Sequence, residues 1–169
     1  MIKQISKIVF QPKSKEELYD LINAEIKKKG NLCDLNHIDV SLVTCFSGLF
    51  LDSNFNGNIS KWDVSGVTAM YSMFHGARFD GDISKWNVSK VENMTFMFYD
   101  SNFYGDISSW DRYSTPGDEP MFLGSKTAKK LGMKNPSFNE VKSHFLNLKL
   151  EEDLQEGSAR QGGLGKLRL

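Results

Sequence analysis

The sequence predicts an α/β solenoid, a stack of 24-residue coils that each contain one strand and one short helix. The first observation is a repeat: F-N-G-N-I-S-K-W-D-V-S-G-V-T-A-M-Y-S-M-F begins at Phe55 and returns with few changes at Phe79. The second is that this period of 24 continues in both directions. A fixed period of this length indicates a repeat protein, because one unit cannot bury its apolar residues until neighbours stack on it.

Four repeats fill the middle of the chain without an insertion, at 31–54, 55–78, 79–102 and 103–126. Apolar residues recur at fixed offsets and form the columns Phe55, Phe79 and Phe103, Ile59, Ile83 and Ile107, and Trp62, Trp86 and Trp110. The first repeat keeps only the apolar and serine positions, and the fourth is degenerate in its middle. Recurrence in every coil predicts that these residues belong to the core and not to a cofactor site.

Within a repeat, the pattern predicts one strand followed by a short helical return. Residues 57–62, G-N-I-S-K-W, are predicted to form the strand, with Ile59 in the core and Gly57 in the turn that enters it. Apolar residues follow at positions 64, 67, 70, 73 and 74, a spacing typical of an α-helix or a 3₁₀-helix.

The open ends of a stack expose core, so the sequence predicts a covering element at each end. Residues 1–30 are predicted to form a strand and then a helix from about Lys15 to Lys28, with Ser14 as its N-cap. Residues 127–156 are predicted to form a C-terminal helical cap, with a short helix near 127–131 and a longer one over 138–149. The glycine-rich tail 157–169 is expected to be flexible.

Composition narrows the class of partner. Lysine plus arginine and aspartate plus glutamate both number 21, so the formal net charge is zero and nucleic acid is not an expected partner. No apolar run is long enough to span a bilayer or to serve as a signal peptide, so the expectation is no membrane insertion and a cytoplasmic location as written, or the cell surface if the natural chain is longer. Cys33 and Cys45 are expected to be reduced, and a single bridge between them is the alternative.

No constellation of catalytic residues is evident, so the chain is expected not to be an enzyme and to need no cofactor or metal. The three histidines lie in different contexts, and no phosphate-binding loop or nucleophile elbow is present. Asp39, Asp63, Asn87 and Asp111 share one slot of the repeat. Stacked carboxylates can bind calcium, but we expect these side chains to accept hydrogen bonds from their own turns.

Binding residues are expected where the repeats differ from one another, because the constant positions hold the fold. Large aromatic or polar side chains occupy several of these variable slots or the irregular stretch 112–120, and the candidates are Tyr71, His75, Phe96, Tyr99, Tyr104, Arg112 and Tyr113. Exposed tyrosine and phenylalanine are typical anchors of protein interfaces. The alternative for each candidate is that it packs beneath a terminal cap.

The motif F-x-G-D-I-S-x-W-[DN]-V-S-x-V-x-x-M-x-x-M-F resembles the repeat of the BspA-type leucine-rich-repeat surface proteins, whose repeats form the domain of unknown function numbered 285. The resemblance covers about 31–126. It implies a right-handed, leucine-rich-repeat-like solenoid in a bacterial, virulence-associated surface protein, with host proteins or other cells as partners. It carries over no catalytic residue.

The sequence therefore favours a non-catalytic protein-interaction module that binds a protein through variable exposed aromatic residues. Two alternatives stay open. One is a small cytoplasmic, phage-borne or mobile-element-borne modulator that binds and inhibits another protein, and the other is a glycan-dependent or calcium-dependent surface lectin. Self-association is also left open.

Overall fold

The computed structural model describes residues 10–111 and 120–164. Its helices are α1 (Lys15–Lys29), α2 (Lys126–Leu131) and α3 (Phe138–Leu164). The chain between α1 and α2, where it is described, is a succession of turns without a strand or a helix. Parallel pairing in the described residues is limited to the isolated bridges Phe10 with Ile38, Asp34 with Asn58, Cys45 with Ala69, and Ala69 with Asn93.

The predicted α/β solenoid of strand-plus-helix coils is therefore wrong. The expected strand at 57–62 pairs only at Asn58 and then turns, because the Trp62 N–H donates to the Ile59 carbonyl. The expected helical return consists of separate turns closed by i→i+3 hydrogen bonds, such as Met73 N–H to Met70 O. A residue with positive φ, such as Ser72 at 51°, interrupts this segment and prevents a continuous helix.

The repeats are joined by a ladder of backbone hydrogen bonds. Alternate N–H groups in the second half of one repeat donate to carbonyls 23 residues further along, which is the next repeat. The first rung set joins Phe46, Gly48, Phe50 and Asp52 to Ala69, Tyr71, Met73 and His75, with N–O distances of 2.8–2.9 Å. Met70, Ser72, Phe74 and Gly76 repeat the pattern toward Asn93, Thr95, Met97 and Tyr99. Residues that are 24 apart consequently lie side by side.

Two columns of phenylalanine rings fill the core along this ladder. Phe50, Phe74, Phe98 and Phe122 form one column, with centroid separations of 5.4, 5.7 and 5.5 Å. Phe55, Phe79 and Phe103 form the second, at 6.2 and 6.4 Å. Rings of the two columns also stack on each other where one repeat passes into the next, for example Phe98 on Phe103 at 4.1 Å. All seven rings are buried, so the core is continuous from the first repeat to the fourth.

Each repeat tryptophan adds a buried polar link to the layer before it. The indole Nε1 of Trp62 donates to the Leu35 carbonyl at 3.0 Å, and Trp110 donates to the Ile83 carbonyl at 3.0 Å. The constant glycine of the motif has a packing role. A Cβ on Gly81 would lie 2.8 Å from the Phe79 ring, so this position has no room for a side chain.

Helix α1 lies over the first repeat. The Ser14 hydroxyl accepts the Glu17 N–H at 3.2 Å, and Leu18 and Ile22 are buried against the core. Glu25 anchors the far end of the helix, where it pairs with Lys29 and lies 3.2 Å from the His37 ring. Cys33 and Cys45 are free thiols, so the alternative of a bridge between them is wrong.

Helices α2 and α3 cover the fourth repeat. Ser137 and Glu140 form a capping box at the start of α3, and Phe138, Val141 and Phe145 are buried. The prediction that α3 ends at 149 is wrong, because the helix continues to Leu164. The predicted flexible tail 157–169 is therefore helical over 157–164, and its last five residues lie outside the described part.

The Asp/Asn slot of the repeat forms turns, as predicted. Asp39, Asp63 and Asn87 each accept the backbone N–H of the serine two residues later, at 3.0–3.2 Å. The pKa of Asp63 lies below its ordinary value because the hydroxyl and the N–H of Ser65 donate hydrogen bonds to the carboxylate. The equivalent Asn87 makes the same contacts without a charge, so this slot needs an acceptor and not a carboxylate.

Truncation of a column ring tests the core. We expect Phe74→Ala to reduce the free energy of unfolding by about 3–5 kcal/mol, because it removes a fully buried ring that stacks on both columns. Tyr71→Ala, at a nearby side chain that is 45% exposed, is expected to cost less than about 1 kcal/mol. Urea denaturation of both variants measures the two losses in free energy of unfolding. Equal losses would contradict the conclusion that the phenylalanine column forms the core.

The pH dependence of stability tests the turn carboxylates. Because its folded pKa is lowered, Asp63 stabilises the fold above its unfolded pKa of about 3.9, and this stabilisation disappears as pH falls through the folded pKa. Asp63→Asn keeps the acceptor and removes the titration. We expect a small loss of stability in this variant near pH 7 that shrinks as pH falls below about 4. Urea denaturation measures the difference in free energy of unfolding between the variant and the wild type at each pH. A difference that does not change with pH would contradict the stabilising role of the Asp63 charge.

Candidate functional site

Four of the predicted binding residues lie together on one surface. Because residues 24 apart are neighbours in the ladder, His75 and Tyr99 fall side by side, with ring centroids 4.8 Å apart. Phe96 lies between the two repeats: its ring meets Tyr71 at 5.8 Å and Tyr99 at 5.5 Å, nearly edge-on in both cases. We call Tyr71, His75, Phe96 and Tyr99 the aromatic face.

The side chains of the aromatic face are partly exposed to solvent, and the backbone that carries them is hydrogen-bonded to neighbouring repeats. Tyr71 is 45% exposed, while the other three side chains are half-buried. The carbonyls of Tyr71 and His75 accept ladder hydrogen bonds of 2.8 Å, and the Tyr99 carbonyl accepts one of 2.9 Å from Gly76. The backbone beneath the rings is therefore fixed by the same contacts that join the repeats.

Phe96 occupies a backbone conformation that an aromatic residue rarely adopts. Its φ is 58°, in the left-handed region, and the equivalent positions of the two preceding repeats are Ser72 at 51° and Gly48 at 68°. A side chain in this region costs roughly 1–2 kcal/mol relative to the right-handed form. Glycine is the residue that meets this backbone requirement without strain, yet the third repeat carries a phenylalanine there.

Tyr104 does not join this surface. The Tyr104 hydroxyl lies 3.0 Å from His144 Nε2, and the Tyr104 ring packs 5.4 Å from the Phe145 ring, so Tyr104 helps to hold α3 on the fourth repeat. This placement matches the alternative of packing beneath a terminal cap. Arg112 and Tyr113 lie outside the described residues.

Sequence reasoning missed two exposed residues that lie nearer to α1. Leu51 shares the slot of His75 and Tyr99 and is 50% exposed, and Tyr19 on α1 is 47% exposed. Both line an open cleft of about 600 Å³ between α1 and the first repeat, together with Lys15, Glu16, Asp20 and Gly48. Leu51 could have been recognised because it shares a variable slot of the repeat with His75 and Tyr99. Tyr19 could have been recognised only as an aromatic residue on a side of α1 other than that of the buried Leu18 and Ile22.

Carboxylates border the aromatic face. Asp52 and Asp100 occupy the slot that follows Leu51 and Tyr99, and both side chains are exposed. Neither carboxylate forms an ion pair with a residue in the described part of the chain. Their own positive φ values, 51° and 52°, place each side chain over the glycine of the next repeat, Gly76 and Gly124.

The described residues offer no obvious metal centre. Across residues 10–111 and 120–164, no group of three or more histidine, cysteine, aspartate or glutamate side chains is arranged to hold an ion. The acidic slot that suggested calcium forms the turn hydrogen bonds given above. None of the helices in these same ranges combines the length and the apolar character needed to cross a membrane.

Comparison with known proteins places the chain in a family. A search of curated proteins and a search of solved structures each found no match. The family described as "Mycoplasma protein of unknown function, DUF285" matches residues 19–135, which contain all of the aromatic face and all the repeat columns. Because the match covers more than half of the sequence, the chain belongs to the DUF285 family of Mycoplasma proteins of unknown function.

Proposed function

We propose that the chain is a non-catalytic protein-interaction module that binds a partner protein through the aromatic face. The observation that carries this proposal is the grouping of Tyr71, His75, Phe96 and Tyr99 at slots that vary between repeats. Tyrosine and other aromatic residues are enriched among the anchors of protein interfaces, since they bury a large area at little cost in side-chain entropy.

The rigid backbone under the rings is an argument that the aromatic face binds a partner. The rings stand on a backbone that is hydrogen-bonded to the repeats on either side, and they contact one another, so little freedom is lost when a partner covers them. Preorganisation of this kind raises affinity because the cost of ordering side chains has already been met in the free protein.

The strained backbone of Phe96 gives a second argument. Glycine would relieve the left-handed conformation at this slot, as it does at Gly48, and would leave the ladder intact. The phenylalanine ring is half-buried among the rings of the aromatic face and is not part of the buried columns. Strain of this kind is commonly retained at functional positions.

Charge indicates the chemistry of the partner. Asp52 and Asp100 supply negative charge along one border of the rings and form no ion pair within the described residues. Glu16 and Asp20 add negative charge around the cleft, which Lys15 also lines. We therefore expect a partner with an apolar or aromatic anchor surrounded by basic side chains. Such a rim assists encounter and orientation more than affinity.

Substitution of glycine for Phe96 separates binding from folding. Phe96→Gly removes the central ring and relaxes the backbone, so the free energy of unfolding is expected to stay within about 1 kcal/mol of the wild type. Partner affinity is expected to fall at least tenfold, as for the loss of an interface anchor. Ser72→Gly is the matched control, because it relaxes the same slot without removing a ring and is expected to bind normally.

The measurement asks whether a partner protein is captured and which part of the chain it contacts. The wild type, Phe96→Gly and Ser72→Gly are immobilised and exposed to lysate of the source organism and, separately, of a host. A photo-crosslinking residue placed at position 71, or at the distant exposed position of Leu32, reports where a captured protein contacts the chain. Protein crosslinked at position 71, captured by Ser72→Gly and lost by Phe96→Gly, supports the proposal. A partner retained by Phe96→Gly, or crosslinked only from position 32, contradicts it.

A further inference from the structure

Helix α3 carries a second exposed apolar surface that the aromatic face does not include. Leu146, Leu150 and Leu154 follow one another at four-residue spacing, so they lie along one side of the helix. They are 48%, 60% and 64% exposed. The helix meets the fourth repeat through a different side, which carries the buried Phe138 and Val141. We call the three leucines the leucine row.

We propose that the leucine row is a self-association surface, on which α3 of a second copy of the chain packs antiparallel. Two copies related by a two-fold axis near Leu150 would bring the two Leu150 side chains together. Leu146 of each copy would then lie opposite Leu154 of the other. A two-fold interface buries the same surface on both subunits, so one exposed row is sufficient to cover itself.

The charges of α3 favour the antiparallel arrangement. Residues 151–156 are acidic, with Glu151, Glu152, Asp153 and Glu156, whereas residues 141–149 carry Lys142 and Lys149 and no carboxylate. Antiparallel packing places the acidic stretch of one helix beside the basic stretch of the other, and parallel packing would place like charges together. Lys149 can take part because its side chain is still 51% exposed beside Asp106.

The surroundings of α3 leave room for the second helix. An open groove of about 570 Å³ lies between the end of α2 and α3, bounded by Leu131 and Met133 on one side and by Ser143 and Asn147 on the other. Asn147 is adjacent to Leu146 in the chain, so the groove continues the surface of the leucine row toward the start of α3. The last turns of an antiparallel second helix would enter this groove. The formal net charge of zero adds no long-range repulsion between copies.

Sedimentation equilibrium of the full chain, from about 1 to about 200 µM, tests the association. The wild type is expected to shift from the mass of one chain to that of two, and Leu150→Glu is expected to weaken association by about tenfold or more. Leu32→Glu is the matched control, since Leu32 is 78% exposed outside α3 and its substitution should change nothing. A wild type that is monomeric throughout, or equal weakening by Leu32→Glu, overturns the proposal.

Disulfide trapping tests the orientation, in a Cys45→Ser background that removes the partly exposed native thiol. Leu150→Cys is expected to form a covalent dimer on mild oxidation. Leu146→Cys and Leu154→Cys should crosslink when mixed and not when alone, and the reverse result overturns the antiparallel arrangement. Leu150→Glu should still capture a partner through the aromatic face, so failure here and failure of the proposed function can be told apart.

Discussion

The backbone ladder between repeats is the constraint on which the rest of the structure depends. Its rungs join residues 23 positions apart, so each layer of 24 residues lies in register on the next. The phenylalanine columns follow from this register, because each ring lies on the ring of the same slot in the next layer. The indole links follow from it as well, because each Trp reaches the equivalent backbone carbonyl of the layer before it. An insertion of one residue within a repeat would move every later side chain out of its column.

The register also separates structural slots from free ones. A slot whose side chain points into the columns must hold a large apolar residue in each layer, and Gly81 has no alternative because the Phe79 ring covers it. A slot on the outside of the ladder has no such requirement, and there the repeats differ. The aromatic face arises because two adjacent layers place aromatic side chains in neighbouring free slots.

Periodicity made part of this structure predictable. The repeat boundaries found by aligning Phe55 with Phe79 gave the buried columns, and the capping residue Ser14 gave the start of α1. The helical return could not be recognised as turns, because apolar spacing of three residues fits a helix and a run of turns equally well. The decisive residues, Ser72 and Phe96 with positive φ, are types that give no sequence signal for this conformation.

The candidate site was predictable only in part. Comparison of the repeats identified Tyr71, His75, Phe96 and Tyr99 as variable, and the ladder then placed them together. The same reasoning could not recognise that Tyr104 is paired with His144, because that contact joins two elements 40 residues apart. The extension of α3 was missed because glycines after position 156 suggested a loop.

Removal of one complete repeat tests the central claim most directly. Deletion of 79–102 joins two layers in register, so the shortened chain is expected to unfold cooperatively in urea and to keep the near-ultraviolet circular dichroism of packed aromatic rings. Deletion of 79–90, half a repeat, breaks the register and is expected to abolish both signals. If the two deletions behave alike, whether both fold or both fail, the 24-residue register is not what holds the structure together.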